Sequence, residues 1–138
     1  MTARWIAALA AVVAAGSLVA CSNSSPSSTT APTPAKTTDT FSGTVAVKGS
    51  DPHSFTVNAA GQVDVTLTAA TPNVPLGLSV GTSGGSGCVA VAGGSVVTTA
   101  GTVAQLSGVL SPATYCVAVF DVGNLSQSVS YTVTVAHP

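Results

Sequence analysis

Val129-Ser130-Tyr131-Thr132-Val133-Thr134-Val135 decides how this chain folds. Odd positions are apolar and even positions carry hydroxyls. Side chains of an extended strand alternate between two faces, so the stretch predicts a strand with one buried face and one wet face. Working outward, Val63-Asp64-Val65-Thr66-Leu67-Thr68 repeats the arrangement. So do Phe55-Thr56-Val57, Leu76-Gly77-Leu78-Ser79-Val80 and Val45-Ala46-Val47. Tyr115 to Phe120 is apolar on both faces, as expected of a central strand. Val89-Ala90-Val91 and Thr102 to Leu110 supply the remaining candidates.

Turn signals separate these runs. They are Lys48-Gly49-Ser50-Asp51-Pro52, Asn58 to Gly61, Thr71-Pro72-Asn73, Gly81 to Gly87, Gly93-Gly94, Ser111-Pro112 and Asp121 to Asn124. No helical period occurs after the N-terminal region. About seven or eight short strands at this spacing predict an all-β, antiparallel, jelly-roll-like β-sandwich over residues 41–138. An immunoglobulin-type sandwich is the alternative.

The order of the runs resembles the bacterial pre-peptidase C-terminal domain, a jelly-roll-like sandwich appended to secreted proteases and other exported proteins. The resemblance is carried by Phe41-Ser42-Gly43-Thr44-Val45, Asp51 to Val57, Ala60 to Leu67, Pro75 to Val80, Ala113 to Val119 and Ser130 to Val135. It spans nearly all of residues 41–138 and implies fold rather than chemistry. Two departures stand out. That domain usually accompanies a catalytic one, and the clustered acids and exposed Tyr of the calcium-stabilised, collagen-binding modules that some members resemble have no counterpart here.

The N-terminus carries an address. Met1 to Arg4 is a short positive region, and Trp5 to Val19 is an Ala, Val and Leu run of signal-peptide length, short for a membrane span. It ends in Leu18-Val19-Ala20-Cys21, which resembles the lipobox of bacterial lipoproteins. That resemblance implies a signal peptide over residues 1–20 and diacylglycerol on the thiol of Cys21. It also implies export, with the domain held by its lipid to the cell membrane or outer membrane and facing the periplasm or cell surface. Ser22, rather than Asp, follows the cysteine, which resembles outer-membrane sorting in a Gram-negative cell. A plain signal cut after Ala20, leaving a free thiol, and an uncleaved anchor are the alternatives. Ser22 to Thr40 holds no Leu, Ile, Val or aromatic residue and reads as a disordered stalk, stiffened at Pro26, Pro32 and Pro34.

Composition argues against nucleic-acid binding. Charged residues make up 5% of the chain and the formal net charge is −1. Lys36 and Lys48 are the only cations after the signal, too few to neutralise a phosphate backbone, so nucleic acid is not expected.

With Cys21 assigned to lipid, Cys88 and Cys116 remain as an even pair in an exported domain, and a disulfide is expected. If Val89, Val91, Val117 and Val119 point inward, both cysteines point outward, and the bond staples strands on an outer face. The immunoglobulin alternative would carry it across the core and would want a Trp between the cysteines, which this chain lacks.

No catalytic constellation emerges. His53, beside Asp51 and Pro52, reads as part of a solvated turn, and His137 as a frayed terminal residue. Asp51, Asp64 and Asp121 are the acids of residues 41–138, and no zinc-type spacing of ligands occurs. Asp121 and Asn124 are the only candidates for a weak calcium site. Phe120 is the aromatic side chain singled out for contact with a partner. No cofactor or metal is expected. The expectation is a non-enzymatic envelope protein that binds an envelope protein or a glycan. The alternative is a structural protein that self-associates through its sheet edges.

Overall fold

The computed structural model describes residues 32–85 and 87–138. The signal region 1–20, Cys21 and residues 22–31 of the stalk lie outside the described residues. The described residues form an all-β fold of eight strands in two antiparallel four-stranded sheets, a β-sandwich. Among them no helix is long and apolar enough to cross a membrane.

The strands are β1 (Thr37–Val45), β2 (Ser50–Val57), β3 (Gly61–Thr71), β4 (Leu76–Gly84), β5 (Gly87–Thr98), β6 (Leu106–Leu110), β7 (Ala113–Phe120) and β8 (Val129–His137). One sheet runs β1-β8-β3-β6 and the other β2-β7-β4-β5. Pairing is nested: β1 with β8, β2 with β7, β3 with β6 and β4 with β5. This is the jelly-roll order, in which a long ribbon doubles back on itself and wraps into two layers.

Period-two patterning builds the core. Val129, Tyr131, Val133 and Val135 of β8 are buried against Val63, Val65 and Leu67 of β3, and against Leu76, Leu78, Val117 and Val119 of the other sheet. β7, apolar on both faces, is an interior strand, as its sequence predicts.

Four local expectations are revised. First, β1 begins at Thr37, ahead of the expected domain start at Phe41, and Thr37 to Thr40 pair with His137 to Thr134. Second, the turn before β2 is short: Lys48 takes a left-handed φ of 59°, and Ser50, Asp51 and Pro52 already belong to the strand. Pro52 is tolerated there because β2 is a sheet edge, where a missing N–H need not break a ladder. Third, the glycines from Gly81 on do not form a free loop. They continue β4 into a hairpin with β5. A Cβ at Gly81 would run into the Val89 carbonyl, so the β5 backbone approaches this position too closely for any other residue. Fourth, Gly93-Gly94 lies within β5 rather than ending it. The register between β4 and β5 jumps there, and Gly93 has a φ of 72°.

Candidate functional site

Two places concentrate the chemistry-bearing residues: a seam between the sheets and a groove on the outer face of one of them.

The seam follows β1 and β2. Asp51 and His53 of β2 and Tyr131 of β8 all face the space between the layers. The Tyr131 hydroxyl donates to Asp51 Oδ2 at 2.7 Å and lies 2.7 Å from His53 Nε2. The phenol proton is committed to Asp51, so His53 Nε2 is the donor to the phenol oxygen. The His53 ring stacks on Phe41 at 4.9 Å between centroids. Gly43 makes the arrangement possible, because a Cβ there would collide with Asp51 Oδ2 and the Tyr131 hydroxyl. Burial, followed by the hydrogen bond and the charge of Asp51, pushes the Tyr131 phenol well above its usual range. A phenol held neutral between two partners is a brace rather than a nucleophile.

His53 is therefore a strand residue in a cross-sheet bridge, not part of a solvated turn. His137 is likewise not frayed: it is 4% exposed, 3.0 Å from Asp39 Oδ2 through Nε2, and packed on Phe55. It extends the inward series of Val129, Tyr131, Val133 and Val135, and that parity is the sequence signal for its burial.

The groove lies on the outer face of the β2-β7-β4-β5 sheet and has a volume of about 380 Å³. Every strand of the sheet contributes. β2 supplies Ser50, β7 supplies Ala118 and Phe120, β4 supplies Ser79, and β5 supplies Cys88, Ala90 and Ser95. Ser79 is buried in the floor. Phe120 packs its ring over Gly77, where no side chain would fit beneath it. Lys48 and Asp121 stand at one end.

The disulfide Cys88–Cys116 is present, with a Cα–Cα distance of 5.7 Å. Val117 and Val119 are in the core, which puts Cys116 on the outer face of the sheet as parity predicts. Two details differ. Cys116 is only 2% exposed, and Val89 faces solvent rather than the interior, at 61% exposure. Beyond the register shift, Gly87 to Ala90 pair with Gly84 to Gly81 of β4, and Cys116 of β7 pairs with Gly81 from the other side, so the bond crosses over β4 from one of its neighbours to the other.

Asp121 closes its own loop. Oδ2 accepts from the backbone N–H of Lys48, and Oδ1 accepts from those of Gly123, Asn124 and Leu125. These donors, Lys48 foremost, hold its pKa below the usual carboxylate value. Asn124 meanwhile donates to the Pro75 carbonyl. Both residues considered as calcium ligands thus have a structural use in the turn. Among the described residues no cluster of three or more His, Cys, Asp or Glu side chains has metal-binding geometry.

Neither a protein-family model nor a curated protein matches the chain.

Proposed function

We propose that this is a non-enzymatic, lipid-anchored protein of the bacterial cell envelope that presents its β-sandwich as a glycan-binding module. The observation that carries the binding reading is the groove. It joins an aromatic ring, Phe120, to the hydroxyls of Ser50, Ser79 and Ser95, with Lys48 and Asp121 confined to one end. An apolar ring flanked by hydrogen-bonding groups suits a neutral sugar, which has one apolar face and hydroxyls at its edge. The lipid anchor rests on Leu18-Val19-Ala20-Cys21 and its position after an apolar run. The exported sandwich reading rests further on the resemblance to the pre-peptidase C-terminal domain. Two or three acyl chains would hold such a module at a membrane, since each buried CH2 contributes roughly 0.8 kcal/mol.

Binding of neutral oligosaccharides to the purified chain tests the groove. The expected result is saturable binding that falls about tenfold or more in Phe120→Ala, the scale of loss for an aromatic anchor. Binding that is absent, or unchanged in that variant, would overturn the glycan reading. Mass spectrometry of the mature N-terminus tests the anchor: diacylglycerol on Cys21 supports it, and an unmodified thiol refutes it.

A further inference from the structure

The four sheet edges of this sandwich are not equally protected. An unpaired edge invites another strand, and proteins blunt it with proline, charge, bulges or cover. The β2 edge carries Pro52, and β1 carries an inward Asp39 paired with His137. β5 is broken by its bulge at Gly93-Gly94 and tied down by Cys88. Beyond β6, the exposed edge of β3 is covered by Gln105, whose side-chain amide accepts from the Leu67 N–H at 2.7 Å. Only β6, Leu106-Ser107-Gly108-Val109-Leu110, has no charge, proline or bulge, and its Val109 is 77% exposed.

We infer that β6 pairs antiparallel with β6 of a second copy of this chain, about a two-fold axis at Gly108. The sequence of the strand fits that symmetry. The axis sets Gly108 opposite Gly108 of the second copy, and Leu106 opposite Leu110. Leu106 and Leu110 face the sandwich interior and pack at its core. They also line an apolar cleft of about 260 Å³ between the sheets, together with Val63, Val65 and Val80. Pairing therefore places leucine against leucine where the cleft opens. On the other face Ser107 meets Val109, and no like charges oppose one another. The Ser107 hydroxyl already donates to Asp64, so pairing leaves that bond in place. A five-residue strand buries far less than the roughly 1,200 Å² of a stable dimer. The association is accordingly weak in solution and strengthens when copies are concentrated on one surface.

Opposed residues in an antiparallel pair have Cα atoms roughly 4.5–5.5 Å apart, within disulfide range. A Cβ at Gly108 meets nothing within 4 Å. Full-length Gly108→Cys, oxidised in isolated envelopes, is expected to give covalent dimer about tenfold above the parent, whose signal sets the background. Thr40→Cys on the β1 edge is expected to stay at that background. Adding Val109→Lys to Gly108→Cys is expected to lower the dimer about tenfold, because an edge lysine opposes pairing. Retention of the Cys88–Cys116 bond, read by mass, shows that each variant is folded. Sedimentation equilibrium of the full chain and of Val109→Lys gives a readout without new cysteines, and only the former should dimerise with concentration. Dimer at background in Gly108→Cys, equal dimer in Thr40→Cys, insensitivity to Val109→Lys, or cross-linking to a different protein would overturn the inference. The glycan reading stands or falls separately, on Phe120.

Discussion

Tyr131 donates its hydroxyl proton to Asp51, 80 positions away in sequence, and so joins β8 of one sheet to β2 of the other. The bond lies in a part-buried seam that Gly43 keeps open. Removing the hydroxyl leaves a carboxylate and an imidazole facing a gap. Tyr131→Phe should lower stability by about 1–3 kcal/mol, the cost of losing a hydrogen bond to a charged group. Denaturant unfolding checks it.

The same phenol sets the behaviour in alkali. Its folded pKa is raised above the unfolded value near 10. The folded state thus favours the protonated form, and that contribution is complete below about pH 10. It is lost progressively above that pH, where the unfolded chain ionises and the folded one resists. Stability measured from about pH 9 upward should fall in the parent and fall less steeply in Tyr131→Phe.

Gly43→Ala should cost about 1–3 kcal/mol through overpacking against Asp51 and Tyr131. Combined with Asp51→Ala the penalty should shrink. A double-mutant cycle should return a coupling of at least about 0.5 kcal/mol, as expected for groups in contact. An additive result would show that the clash lies elsewhere.

The Cys88–Cys116 bond closes a loop with a sequence separation of 28. Replacing both cysteines by Ala should cost about 3–4 kcal/mol in the chain-entropy description. The loss should be local first. Hydrogen exchange at residues 87–90 should rise before exchange in β7 or β8, because the start of β5 lies on a sheet edge and is set off from the rest of the strand by a register shift.

Acid acts on Asp64. Hydrogen bonds from Lys36 foremost, then Ser107 and Gln62, lower its pKa to about 2. A depressed carboxylate contributes stability above its unfolded pKa, near 4, and loses it as pH falls toward about 2. Lys36 is more than a third exposed, so solvent screening limits the contribution to about 1 kcal/mol or less. Lys36→Met should weaken the fall in stability between about pH 4 and pH 2, lower stability at neutral pH by about 1 kcal/mol or less, and leave stability below about pH 2 little changed.

The sandwich was legible because alternation reports burial directly. Val129 to Val135 and Val63 to Thr68 are strands with the expected faces in. Other features were hidden for identifiable reasons. Thr37 to Thr40 resembles stalk because both are polar. Its membership of β1 depends on β8, at the far end of the chain. Asp51-Pro52-His53 has turn chemistry, and only its edge position makes it a strand. The glycines after Val80 suggest a loop, yet Gly81 answers to a backbone that passes over it. The groove was legible only in Phe120, because Ser50, Ser79 and Ser95 come from three separate strands.

The nested pairing bears on biosynthesis. β8, the last of the eight described strands in chain order, is an interior strand that separates β1 from β3. Until it emerges, those two strands have no common neighbour, and the sheet cannot close. A nascent chain of this design cannot complete its sandwich until β8 is available. Truncation before Val129 should therefore yield a chain that does not fold, rather than a smaller sandwich.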